Sequence, residues 1–320
     1  MRVFVVGGAG FIGSHLVDAL VARGDSVTVY DNMTVGKEAF LEGARAKGKV
    51  ELVKADALDL DAVTRAIAGH DVVFHLAANP EARWGLERTR LDLEQGTIAT
   101  YNVLEAARIA GVGRFVFSSS GTVYGNTEKR CGEKDMGELP ISLYGASKIA
   151  GEALISAYVE CFGLHGSIAR FGNVVGGRAT HGAILDFCNK LKAHPEYLDV
   201  LGDGTQSKPY LHVEDCAAGL LHILDNAKER FSAYNLAPSD WTSVKRIAEM
   251  VVAASPNPQA RIEFGKSDRG WPGDVPKSLI DPEKLSALGF RVRFTSDQAV
   301  EQAVRQVALQ VFGSSSSTPQ

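Results

Sequence analysis

Tyr144 and Lys148 stand four residues apart in the segment YGASK, which puts both on one face of a helix. A tyrosine with an ordinary pKa of about 10 is a poor base at neutral pH. An ammonium beside it favours the phenolate, and a second positive charge bound nearby adds to that. A separate segment, SSSGTVYG, offers hydroxyls at Ser118, Ser120 and Thr122. A phenol and a strand-end hydroxyl that share one substrate alcohol make a general acid/base. It takes the proton from oxygen while hydride leaves the carbon. Tyrosine and lysine at this spacing are common surface neighbours, so the pair gains meaning only from what surrounds it.

The hydride needs an acceptor, and the start of the chain supplies its signal. The apolar run MRVFVV meets GGAGFIG, in which Gly7, Gly10 and Gly13 are spaced three apart. Glycine allows the tight turn, lets backbone N–H groups approach a pyrophosphate, and lets the following helix pack against the sheet. A second apolar run ends in Asp31, 18 residues after Gly13. Strand, glycine turn, helix and a strand-end acid are the dinucleotide fingerprint. Asp31 is expected to accept hydrogen bonds from the adenosine ribose. Neither Asn32 nor Met33 offers an arginine to a 2′-phosphate, which selects NAD over NADP. Asp56 is placed to reach the adenine edge, or to cap a helix.

These groups need a frame. Apolar strand runs at 3–6, 26–30, 50–53, 72–75, 114–118 and 167–170 alternate with helical stretches at 11–23, 59–68, 90–110 and 144–162. The alternation implies an α/β fold, a doubly wound parallel Rossmann sheet covered on both faces. After about residue 170 glycine, proline and polar loops become denser. A smaller α/β substrate-binding lobe is expected there. The expected organisation is an NAD-binding domain over 1–170, and a mainly substrate-binding region over 171–312 with segments returning to the first. A disordered tail follows at 313–320.

Composition removes several function classes. The chain has 320 residues, 45% hydrophobic and 22% charged, enough for one full domain plus a lobe. A net charge of −4 without a basic block argues against nucleic-acid or anionic-membrane partners. The opening run is too short for a signal peptide, and no apolar run reaches 18 residues. Cys131, Cys161, Cys188 and Cys216 are scattered without a CxxC pair, so reduced packing thiols and a cytoplasmic location are expected. No zinc or other metal site is expected: His165, His181, His194, His212 and His222 lack metal-ligand spacing. His75 reads as a strand-end packing residue. Trp84 and Trp271 fit either a pocket or ordinary packing, and the charged run 128–134 reads as a solvated loop.

Taken together, GGAGFIGSHLV, YDNMTVGK, FHLAA, FSSSGTVYG, YGASK, RFGNVVG, GDGTQSKPYLHVED and WPGDV resemble the extended short-chain dehydrogenase/reductases. Within them the chain is most similar to UDP-glucose 4-epimerases and their relatives. The resemblance implies that Gly7, Gly10, Phe11, Ile12, Gly13, Asp31, Asn32, Asp56 and Ala57 hold NAD. Leu76, Ala77 and Ala78 would pass beneath the cofactor, with Ser118 alongside. It makes Tyr144 the base, with Lys148 binding the nicotinamide ribose and tuning it. Ser120 and Thr122 would bond the sugar, Asn173 the sugar or diphosphate, and Lys208 a phosphate. Three positions depart from the pattern. Gly96 stands where relatives often carry asparagine, so a hydrogen bond near the cofactor is expected to be lost. Lys208 stands where arginine is usual and cannot form a bidentate fork. Trp271 stands where many relatives have arginine, with Arg269 as the expected substitute.

The family holds several chemistries. Its dehydratases place an Asp–Glu pair where this chain has Gly121–Thr122, which supplies no carboxylate for elimination. Relatives that make GDP-fucose use a cysteine and a histidine, and SSS contains neither. The resemblance therefore points to a 4-epimerase of a nucleotide-sugar, a UDP-hexose of the glucose/galactose type, acting through a 4-keto intermediate. The alternatives are another oxidoreductase, dehydratase or decarboxylase of the family and, more remotely, a non-catalytic NAD-sensing regulator. The stretches 90–110 and 144–162 resemble the helices that pair in a four-helix homodimer contact.

Overall fold

The computed structural model describes residues 1–135 and 138–313. The tail expected over 313–320 lies outside the described residues except for Gly313. Six strands form where β-branched and aromatic residues run together: β1 (Arg2–Val6), β2 (Ser26–Asp31), β3 (Val50–Lys54), β4 (Val72–His75), β5 (Arg114–Ser120) and β6 (His165–Phe171). A seventh, Phe231–Leu236, comes from far down the chain and pairs with β6. All pair in parallel, in the order Phe231–Leu236, β6, β5, β4, β1, β2, β3. β1 is central, with Val6 beside both Tyr30 and His75. The chain direction of the winding reverses between β1 and β4, so the loops beyond their ends part and leave a crevice.

Both faces of the sheet are covered. On one, Leu16, Val17 and Leu20 of helix Phe11–Ala22 meet Leu220, Ile223 and Leu224 of helix Val213–Asn226. On the other, Val63 and Ile67 of Leu60–Ile67 pack with Val103 and Leu104, and with Ile155 and Val159 of Leu143–Phe162. A separate core joins helices Ala183–Ala193, Val244–Ala253 and Ser296–Phe312 through Phe187, Leu191, Val251 and Val304. Helix Val213–Asn226 and strand Phe231–Leu236 are thus segments of 171–312 that pack with the main sheet.

The expected continuous helix at 90–110 is broken. A short turn, Arg90–Asp92, runs into a π-helical segment, Leu93–Ile98, before the α-helix Ala99–Ile109. Gly96 is the reason visible in the packing: a Cβ there would run into Oγ of Ser147 on the neighbouring helix. The wider turn brings bare backbone against that helix, and Thr100 Oγ1 bonds the freed Gly96 carbonyl at 2.5 Å. The charged run 128–134 is only partly solvated. Glu128, Lys129, Arg130 and Lys134 are exposed, but Cys131 is buried and bridges to Ile280, and Glu133 Oε1 accepts from the Asn235 N–H at 2.7 Å.

Candidate active site

The glycine turn is held by backbone packing. Gly7 has φ +81°, and a Cβ on it would lie 2.7 Å from the Ala77 nitrogen. A Cβ on Gly13 would strike the Gly7 carbonyl. Helix Phe11–Ala22 begins after Gly10, with no side chain capping its first turn. Its leading N–H groups are therefore left for an outside anion. At the end of β2, Asp31 accepts from the Ala9 N–H and the Met33 N–H, each at 2.9 Å. Burial raises its pKa, and these two bonds oppose the rise. Asn32 Nδ2 donates to Asp56 Oδ2 at 3.0 Å, and Asp56 Oδ1 takes the Leu58 N–H. Asp56 therefore serves the local turn as well as facing the crevice.

One cleft runs over this turn. Gly7, Gly10, Phe11, Ile12, Gly13, Asp31, Asn32, Asp56 and Ala57 line it, as do Leu76, Ala77, Ala78, Ser118, Tyr144 and Lys148. The close glycine packing, the uncapped helix end and the seated carboxylate fit a dinucleotide.

The tyrosine and lysine owe their places to Ser142. Its Oγ accepts the Gly145 N–H at 3.1 Å and starts helix Leu143–Phe162, which closes at Gly163 in the left-handed region. Lys148 Nζ then lies 5.5 Å from the centre of the Tyr144 ring and donates to the Ser118 carbonyl at 2.7 Å. The surroundings of the pair shift both groups in the ligand-free chain. Burial raises the Tyr144 pKa, and the Asp92 carboxylate adds to the rise. Burial also pulls Lys148 down to about 7, against the upward pull of Glu152 and Asp92. Desolvation pushes both groups toward their neutral forms, with Lys148 buried and Tyr144 half-buried at the cleft wall.

A second cleft opens between the sheet edge and the lobe. Ser120, Thr122, Asn173 and Lys208 line it, and Tyr144 borders both clefts. Ser120 Oγ accepts the Thr122 N–H at 3.2 Å, whereas Thr122 Oγ1 is buried without a partner among the described residues. Lys208 Nζ is bonded to Asp274. Arg269 is not among the residues lining either cleft; Trp271 lines the second and packs over Gly273.

Trp84, which the sequence offered as a pocket or packing residue, lines the first cleft. Several other lining residues were not assigned to a site from the sequence: Arg88, Leu91 and Gln95 line the first cleft, and Pro80, Ser119, Phe171 and His181 border both. The 84, 88, 91, 95 spacing is helical and was readable as one face. His181 follows no strand or helix and carried no such signal. Ser119 leads inward instead: its Oγ donates to Glu152 Oε1 at 2.5 Å, and Glu152 takes a fork from Arg170 at 2.9 and 2.6 Å. His75 is fully buried, bonded to Thr100 Oγ1 at 3.0 Å, and burial pushes it down to about 3, so it is a neutral packing residue. Among the described residues no cluster of His, Cys, Asp or Glu could hold a metal, and no helix is long and apolar enough to cross a membrane.

The model of the NAD dependent epimerase/dehydratase family matches residues 3–237, most of the chain. The chain belongs to that family. A crystal structure of a UDP-galactose 4-epimerase superposes with a TM-score of 0.86 at 38% identity, covering 97% of this chain and all (100%) of that one. The UDP-glucose 4-epimerase of Mycolicibacterium smegmatis is 36% identical over 222 residues, 67% of this chain and 70% of that protein. The UDP-N-acetyl-alpha-D-glucosaminuronate decarboxylase of Bacillus cytotoxicus is 29% identical over 319 residues, 95% of this chain and 97% of that protein. Family membership makes the chain an NAD-dependent enzyme of the epimerase/dehydratase type, on a Rossmann sheet.

Proposed function

We propose that the chain is a nucleotide-sugar 4-epimerase acting on a UDP-hexose of the glucose/galactose type through a 4-keto intermediate. The observation that carries this reading is the position of Tyr144 on the border of both clefts, with no carboxylate at Gly121 or Thr122 beside it. Gly7, Gly10 and Gly13 with Asp31 hold the dinucleotide. NAD held there would supply the acceptor and later the donor of the C4 hydride, and its positive ring would favour the Tyr144 phenolate. Tyr144 takes the proton of the C4 hydroxyl and later returns it. Ser120 and Thr122 hold that hydroxyl and then the C4 carbonyl. Asn173 and Lys208 anchor the diphosphate end, so the ketone can turn over between the two transfers. Purified protein incubated with UDP-galactose should yield UDP-glucose with no net NADH; net reduction of cofactor would sink the epimerase reading.

The second reading is decarboxylation of a nucleotide-uronate. The decarboxylase relative, aligned over nearly the whole chain, favours it. It would release carbon dioxide from a UDP-uronate.

We also propose a homodimer joined through the 90–109 and Leu143–Phe162 helices. Ile98, Tyr101 and Ile109 on the first are 38–54% exposed, and Phe162 on the second is 56% exposed. That much apolar area on adjoining helices suits burial against a second copy. Sedimentation at micromolar concentration should give twice the chain mass; a monomer mass would overturn the pairing.

A further inference from the structure

The second cleft has a charge problem. Its charged lining groups are Glu81, Asp274 and Lys208, and among the described residues lining it there is no arginine. A sugar diphosphate is a dianion, and Lys208 is already bonded to Asp274. Trp271 lines the cleft without charge, and Arg269 does not line it.

Arg83 offers the missing cation. It sits two residues beyond Glu81 and folds back on it, with Nε on Oε1 at 3.0 Å and a terminal nitrogen on Oε2 at 2.9 Å. The Arg83 N–H also donates to Oε1 at 3.2 Å. Glu81 and Ala82 form part of the cleft wall; Arg83 itself lines neither cleft, but its guanidinium is bonded to the Glu81 carboxylate that does. The Arg83 side chain is 39% exposed and that of Glu81 18%, so solvent reaches the guanidinium side of the pair. The field at Arg83 includes the carboxylates of Asp274 and Asp186 from the lobe, after that of Glu81 itself. Glu81, Lys208 and Asp274 line the same cleft, so both ion pairs border one cavity.

We propose that Arg83 and Lys208 together form the site for the substrate's diphosphate, each held in the ligand-free chain by a carboxylate, Glu81 or Asp274, that the diphosphate displaces. The inference rests on the nucleotide-sugar reading above and adds a residue to it. The planar guanidinium supplies the two-pronged donor that an ammonium at 208 cannot. The carboxylates keep two long side chains ordered at the cleft while no anion is present, which reduces the ordering needed on binding.

Calorimetric titration of the full chain tests this without turnover. The titrants are UDP, GDP, CDP and dTDP, with uridine and NAD as controls. Arg83→Gln and Lys208→Gln should each weaken UDP binding about tenfold, the scale of one charged hydrogen bond. The double variant should lose about a hundredfold. Arg83→Lys should fall between wild type and Arg83→Gln, since it keeps charge and loses the fork. Uridine and NAD should bind all variants as they bind wild type. Wild-type UDP affinity in Arg83→Gln would overturn the inference alone, and so would a parallel loss for uridine or NAD. A wild type that binds NAD but none of the four diphosphates would overturn the nucleotide-sugar reading as well.

Discussion

Tyr144→Phe is expected to lower turnover of the 4-epimer pair by about 10³-fold while the protein keeps its fold and its NAD. The substitution removes one oxygen and leaves the ring in place, so Lys148 keeps its aromatic neighbour at 5.5 Å and its bond to the Ser118 carbonyl. Among the described residues bordering both clefts, Ser119 is bonded to Glu152 and His181 is the other group able to accept a proton, its pKa lowered by burial with Glu81 opposing. Circular dichroism and NAD titration should match wild type while product formation is nearly abolished. Retention of a tenth or more of the activity would mean that another group takes the proton. The pH dependence carries a sign. Burial and Asp92 raise the Tyr144 pKa, so phenolate accumulates as pH rises, and the rate should climb toward alkaline pH. Lys148→Met removes a cation that favours phenolate and should move that limb to higher pH.

The largest stability effect is expected at Arg170→Met. Arg170 and Glu152 are 5% and 9% exposed and joined by two hydrogen bonds. Arg170 also donates to the Tyr124 hydroxyl at 2.9 Å, and Tyr124 donates to Asn235 Oδ1 at 2.7 Å. Asn235 in turn bonds the carbonyls of Cys131 and Asp281. The ion pair therefore fastens β6, the Tyr144 helix, the turn after β5 and the returning strand to one another. Removing the guanidinium strands a buried carboxylate, which costs about 3–5 kcal/mol. Urea unfolding should show that loss. The Glu152→Gln/Arg170→Met double variant should recover part of it, because no unpaired charge remains. A drop below about 1 kcal/mol for the single variant would show that water or rearrangement rescues Glu152.

What could be read from the residues was local. The glycine turn needs glycine at Gly7 and Gly13 because backbone meets backbone there, and the chemistry of that contact is written in three letters. Runs such as the one in β1 are buried on both faces, so their apolar continuity survives as a pattern. Tyr144 and Lys148 share a helix, and their spacing alone aligns them. The 90–110 region misled because helical periodicity does not reveal a π segment, which depends on Ser147 packing where Gly96 has no side chain. The 128–134 run misled in the same way: its charges mask the inward turn at Cys131 and Glu133, whose partners Ile280 and Asn235 lie more than a hundred residues away.

The sequence by itself determined the winding of the sheet, the dinucleotide turn and the tyrosine–lysine pair, because each depends on contacts between near neighbours or on a repeated period. Only the tertiary structure decided three other things: that desolvation and Asp92 push the Tyr144 pKa up, that Lys208 is bonded to Asp274 while Arg269 lines neither cleft, and that the Phe231–Leu236 strand extends the sheet beside β6. Charge state and partner choice depend on desolvation and distance. Both are set by which segments, remote in sequence, fold over the same cavity.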